Sequence, residues 1–329
     1  MAVHELGNDH LTVRVCGLGA RLMSVLAPDR EGHVAHVVLG HDDEESYRDD
    51  RSFLGAVVGR FGGRIPQGRF TLDGHQHQVP TNEPDAALHG GTGGFDLQPW
   101  QEAPADDGAS VTFRHVSPNG DNGFPGELTA TATYTVDGSD LRIDLVATTD
   151  RTTIVNLLGH AYFNLSGGCA SVDDHLLQVN AGSYLPVGEG LLLTGAVKPV
   201  DAALDLREPR RVGALVRRRA PQLELACGLD HGFVLDGPAE GGLREAAVVR
   251  HPGSGRTLTV LTDQPALQVY SGNMLDGSAR LRDGLAARQG DALCLEPHQH
   301  LGLPEQTAAC VLHPGQEARS RTVLRFGVA

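Results

Sequence analysis

The chain has 329 residues, 40% of them hydrophobic and 21% charged, an ordinary globular composition with ample length for a large core. It carries 27 basic against 41 acidic side chains, and the formal charge of −14 argues against nucleic acid and anionic membranes as main partners and for a neutral or cationic ligand. The five cysteines (Cys16, Cys169, Cys227, Cys294 and Cys310) are odd in number and contain no CxxC pair, so neither a disulfide framework nor a thiolate metal site is predicted, and a reducing cytoplasmic setting fits.

The opening "MAVHELGNDHLTVRV" has no basic or apolar leader region, so no signal peptide is expected. No apolar run approaches the roughly 20 residues of a membrane span. "DEESYRDDRSFLG" reads as a short helical turn. "RFTLDGHQHQV" reads as strand, Asp73-Gly74 turn, strand. In "ELTATATYTVDGSDLRIDLVATT" the residues Leu128, Ala130, Ala132, Tyr134 and Val136 alternate with polar ones, and Leu141, Ile143 and Leu145 repeat the scheme after a turn. "IVNLLGHAYFNLSGG", residues 154–168, reads as a strand with His160, Tyr162 and Asn164 on one face and Ala161, Phe163 and Leu165 on the other. "EPRRVGALVRRR" is the best helical candidate, with Pro209 in its first turn and Arg217, Arg218 and Arg219 at its solvated end. "EAAVVRHPGSGRTLTVLTD" is another hairpin pattern. With 42 glycines and 18 prolines supplying turns and no linker or repeat, the pattern predicts an all-β fold. It is expected to be one large antiparallel β-sandwich domain over residues 1–329, with few short helices.

Chemistry-capable residues stand in apolar or glycine-rich company at five places: Arg60 and Arg64 in "GRFGGRIPQG", His89 in "LHGGTGGF", His160, Asp230 and His231 in "GLDHGFVLD", and Glu296 in "DALCLEPHQHLG". Each alone has an ordinary structural explanation as a turn, cap or ion pair. Together they place histidines, carboxylates and an arginine at strand ends and glycine turns, where β-scaffolds carry function. The pairs His75/His77 and His298/His300 have the HxH spacing of metal ligands, although His75 and His77 follow a hairpin turn where exposed polar residues are expected.

The chain resembles the aldose 1-epimerase, or galactose mutarotase, family over nearly its whole length. The resemblance runs in order through "ESYRDDRSFLGAVVGRFGGRI", "RFTLDG", "ALHGGTGGFDLQPW", "SPNGDNGFPGELTATATYTV", "GHAYFNLSG", "YLPVGEGLLLTG", "GLDHGFVL", "LQVYSGNMLDG" and "LCLEPHQH". It implies a large antiparallel β-sandwich. It implies Glu296 and His160 as the catalytic pair, with Arg64, His89 and Asp230 binding substrate. Three places depart from the family pattern. Gly63 and Gly159 replace asparagines, and "PHQHLGLPEQ" follows Glu296 in place of a Pro-Asp segment.

The activity the resemblance implies is interconversion of the α and β anomers of a free aldose, such as glucose or galactose. One base and one acid open and reclose the sugar ring, with no metal or cofactor. Glu296 is expected as base and His160 as acid, facing each other across the ring. Tyr162 or Phe163 would offer the sugar an apolar face, and alternation allows only one of them, Tyr162 being the site candidate. The expected partner is a small sugar, with no nucleic acid or membrane, and the chain a monomer or homodimer. The departures motivate an alternative, a relative acting on a non-standard sugar, lactol or other specialised metabolite. A second alternative is a metal-dependent enzyme using His89, His160 and a carboxylate.

Overall fold

The computed structural model describes residues 3–104, 108–168, 170–238, 242–299 and 307–329. Residues 300–306 and Cys169 lie outside the described residues, and with them His300, one member of the second HxH pair, and most of the departure after Glu296. Strands make up 46% and helices 11%, well under the usual helical share of about one-third.

Two sheets dominate. The larger has nine strands, in the order Gln101–Pro104, Ser110–Ser117, Leu128–Asp137, Asp140–Thr149, Ala318–Val328, Arg256–Thr262, Arg244–Arg250, Leu176–Val179 and Arg210–Arg211. Its centre is the C-terminal strand, which pairs Leu141 with Leu324 on one side and Val260 with Leu324 on the other. The alternating run is its best-formed part: Leu128, Ala130, Ala132, Tyr134 and Val136 are buried while the intervening threonines are half-exposed. The second sheet has six strands, in the order Tyr162–Phe163, Leu293–His298, Ala266–Tyr270, Asp230–Val234, Ser183–Leu185 and Lys198–Pro199. Its inner side chains, including Phe163, Leu267, Val269, Phe233, Leu293 and Leu295, join Phe113, Tyr134 and Leu324 of the larger sheet in one apolar cluster. Burying that cluster is what holds a sandwich together.

The Asp73-Gly74 hairpin forms as expected, Leu72 opposite His75, with φ of +50° and +77° at the turn. Left-handed backbone at both central residues matches the twist of the flanking strands. His75 is exposed and His77 stacks on Phe70 at 5.1 Å, so this HxH pair belongs to the hairpin surface.

Two expectations need correcting. The helix expected over 208–219 is confined to Val212–Val216, because Arg210 and Arg211 pair with Leu177 and Leu176 and hold the preceding backbone extended. A second helix, Pro221–Leu225, follows with its proline at the first turn. The strand expected through 154–168 is broken into Thr153–Ile154, Leu158–Gly159 and Tyr162–Phe163, each pairing with a different partner. The bend between the last two turns His160 over the outer face of the six-stranded sheet. Asn164 instead donates through its amide to the carbonyls of Ala170 and Asp291, fixing the following loop.

Candidate active site

A cavity of about 670 Å³ lies over the outer face of the six-stranded sheet. Strand alternation selects its floor. Asp230 lies opposite Tyr270, Gln268 opposite Glu296, and Tyr270 and Tyr162 each opposite Cys294. Residues in register share a face, so these six point outward while their neighbours point into the core. Tyr162 therefore lines the cavity and Phe163 packs inside, as alternation requires.

The structure brings together all six site candidates: Arg64, His89, His160, Tyr162, Asp230 and Glu296 line this one cavity. Arg60 is separate. Its buried guanidinium donates to Ser117 and to the carbonyls of Pro118 and Pro125, so it ties loops together. His231 points into the core, where its Nδ1 accepts from the Asp230 N–H.

His160 Nε2 lies 3.7 Å from Glu296 Oε1, and both side chains are almost fully buried. This corrects the expectation of a sugar-wide gap between them: they stand side by side on one wall. On its other edge His160 Nδ1 sits 3.6 Å from Cys294 Sγ. The ring stacks on Tyr162 at 5.0 Å and Phe53 at 5.9 Å, and meets His89 edge-on at 5.2 Å. Burial in this aromatic nest pushes the His160 pKa down to about 4, so the ring is neutral near pH 7. Burial, then the nearby negative charge of Asp230, pushes Glu296 well above the usual carboxylate range, against the opposing pull of Arg64.

His89 ends the strand Ala86–Leu88 with φ of +53°. Its Nδ1 accepts from the Gly63 N–H at 3.1 Å, which assigns the proton of the neutral ring to Nε2 as a donor. Burial holds this ring neutral as well. Gly63 has φ of +107°, backbone that glycine adopts without strain. At Gly159 an added Cβ would meet nothing within 4 Å.

Arg64 is held in a fork by Glu83, Nε donating at 2.7 Å and Nη2 at 3.0 Å. Its remaining nitrogen Nη1 is 3.7 Å from Asp230 Oδ2. Asp230 also accepts from the Gln268 amide. Burial raises its pKa, and Arg64 opposes the rise. Glu83 and Gln268 are the partners that the sequence reading missed. Gln268 carries a signal, a polar residue alternating within "ALQVY". Glu83 sits in the loop "PTNEPDAALHGG", where no spacing marks it.

Among the described residues, His160, Cys294 and Glu296 form the one group whose ligand-type atoms approach closely enough to hold a metal, all within 4.8 Å. Cys294 and Glu296 lie against different nitrogens of the same imidazole ring, and one ring offers a metal only one nitrogen. The expected alternative triad is further weakened because His89 Nδ1 is already an acceptor.

An aldose 1-epimerase family model matches residues 2–325. The chain is 39% identical to a galactose mutarotase of Mus musculus, covering 99% of this chain and 94% of that protein. It is 36% identical to an aldose 1-epimerase of Escherichia coli (strain K12), covering 97% and 93%. Among solved structures, an aldose epimerase homologue from C. elegans superposes with a TM-score of 0.92 at 27% identity, covering 100% of this chain and 99% of that one. A galactose 1-epimerase from Lactobacillus acidophilus NCFM does so with a TM-score of 0.87 at 31% identity, covering 99% and 94%.

Proposed function

The chain belongs to the aldose 1-epimerase family, an isomerase interconverting the α and β anomers of an aldose, and we propose that it does so with Glu296 and His160 as its acid–base pair. The observation that carries this assignment is the approach of His160 Nε2 to Glu296 Oε1, 3.7 Å apart on the floor of a cavity that also holds Arg64, His89 and Asp230.

Mutarotation moves one proton off the C1 hydroxyl and one onto the ring oxygen. The C1–O5 bond breaks, the aldehyde rotates about C1–C2, and O5 re-attacks the other face. Both oxygens are bonded to C1, so the two groups that serve them belong next to each other. Side-by-side placement therefore suits the reaction better than opposition across the ring. The pair needs one proton to give and one lone pair to take another. Burial favours the uncharged arrangement, Glu296 protonated and His160 neutral. Glu296 then donates to the ring oxygen while His160 Nε2 accepts from the C1 hydroxyl. This reverses the expected allocation for ring opening, in which Glu296 takes the C1 proton and His160 protonates the ring oxygen. After the transfer Glu296 is the base toward the C5 hydroxyl and His160 the acid toward the aldehyde oxygen, and reclosure runs through that state. His89 Nε2–H and Arg64 Nη1 would donate to hydroxyls, and Asp230 would accept.

Free glucose and galactose are the proposed substrates. The apolar cluster drawing on residues from Leu6 to Phe326 supports reading the chain as one working unit. A cytoplasmic setting belongs to the same proposal, supported by the free thiols of Cys16, Cys227, Cys294 and Cys310. No helix among the described residues is long and apolar enough to cross a membrane. Time-resolved polarimetry of freshly dissolved α-D-glucose and α-D-galactose tests the activity. Rotation should reach equilibrium at a rate proportional to protein concentration. Decay of both sugars at the spontaneous rate would overturn the substrate assignment.

A further inference from the structure

The floor of the cavity extends beyond the length of one sugar. Counting across the six-stranded sheet from the strand of Glu296, the strand of Asp230 is two steps away and that of Leu185 three. At about 4.8 Å per step these lie ~10 Å and ~14 Å from Glu296's strand. A pyranose with C1 at Glu296 and its far hydroxyls at Arg64 and Asp230 fills the first interval, a ring with a hydrogen bond at either end.

The next interval differs chemically. Leu185, Val187, Leu191 and Leu193 line the same cavity, and none has a hydrogen-bonding side chain. The wall is built in place. Leu185 packs over Gly232, where an added Cβ would meet its Cδ1 at 3.0 Å, with Gln268 Oε1 at 3.4 Å and His298 Nε2 at 3.5 Å beside it. The backbone of Val187 is clamped by the Gln222 side chain, which accepts from its N–H and donates to its carbonyl, both at 2.9 Å. Val187 then bridges to Leu193 across a tight turn that carries Leu191. On the rim Met274 is 58% exposed, a large apolar side chain left beside the opening. At about 670 Å³ the cavity falls within the ~300–1,000 Å³ that holds drug-sized ligands, and one hexose is far smaller.

We propose that the preferred substrate is an aldose bearing an apolar group on a hydroxyl remote from C1, with that group seated against Leu185, Val187, Leu191 and Leu193. The inference rests on the acid–base assignment above, because Glu296 sets which end of the sugar is C1. The face made by these four side chains offers a polar extension such as a second sugar no hydrogen-bonding partner, a cost an alkyl or acyl chain avoids.

The test is polarimetry of the full chain with anomerically enriched D-glucose and D-galactose and with their 3-O- and 4-O-butyl ethers. Each methylene removed from water is worth roughly a factor of four, so at least one ether should show a KM at least about tenfold below its parent sugar. Leu191→Asn and Leu193→Asn should bring the ether-to-parent ratio of kcat/KM close to one. Turnover of the parent sugars with no ether preference would overturn the subsite and leave the mutarotase assignment standing. So would a preference that survives both substitutions. No turnover of any of these sugars would overturn the functional assignment itself.

Discussion

His160 and His231 lie on opposite sides of the six-stranded sheet, and burial pushes the pKa of each down to about 4. Their charge states near pH 7 are therefore alike, yet their surroundings are not. On the inner side, His231 sits among Phe233, Val269 and Leu267 in the sandwich core and meets the Tyr184 ring edge-on at 6.2 Å, and burial alone lowers its pKa. On the outer side, His160 Nε2 faces Glu296, and Arg64, Asp230 and His89 line the same cavity. A depressed histidine pKa reports desolvation on either side. It becomes a functional signal only where a second titratable group and open volume stand beside it.

That contrast is best broken from the outer side. Glu296→Gln keeps the side chain's shape and removes its transferable proton, and His160→Asn keeps one polar contact of the imidazole and removes the nitrogen that takes and gives the proton. Each should lower kcat by roughly 10²–10⁴-fold with the fold unchanged by circular dichroism. Arg64→Ala leaves Glu83 and Asp230 without their shared cation and removes a donor to the sugar. It should raise KM by about 10- to 100-fold, with a smaller effect on kcat. Glu83→Gln loosens the fork that orients Arg64 and should raise KM only several-fold, visible in the same steady-state series.

The pH profile sharpens the comparison further. If neutral His160 is the acceptor, kcat/KM is lost as pH falls through about 4, where the ring takes up a proton. An acid limb near the ordinary histidine value of 6.5 would show instead that the ring is not desolvated in the working enzyme. On the inner side, His231→Phe should leave kcat/KM unchanged within error. Its effect is on stability. The folded pKa of His231 lies below its unfolded value, so between about pH 6.5 and 4 the unfolded chain binds the extra proton. The wild type should then lose stability to acid that the variant keeps, up to about 3 kcal/mol across that window in parallel denaturant titrations. The smallest effect expected is from chelation: activity after exhaustive treatment with a chelator should equal that before it.

The strands of the sandwich were legible wherever one face is buried and the other wet, as in Leu128–Asp137, because burial then imposes period two. The site strands were harder to read. All six residues of Leu293–His298 are buried, since core lies on one side and cavity on the other, so Glu296 stands out by chemistry and not by pattern. The break at His160 was invisible because the pairing partners of Leu158 and Tyr162 lie 100 or more residues away in the chain, at Val58 and Cys294. The helix boundary at Val212 was missed for the same reason, since the pairing of Arg210 and Arg211 with a distant strand overrides local propensity. The identity of the site residues came through family resemblance. The side-by-side placement of Glu296 and His160 and the Glu83 fork needed coordinates.

The central claim is that Glu296 and His160 act as one unit sharing a single transferable proton, and a double-mutant cycle measures this most directly. Polarimetric rates are compared for the wild type, Glu296→Gln, His160→Asn and the double variant, all verified as folded. If the two groups serve one transfer, the double variant should be little slower than the slower single variant, although independent losses of roughly 10³-fold each would multiply to roughly 10⁶-fold. Losses that multiply in full would show that the two residues act on separate steps and would contradict the pairing.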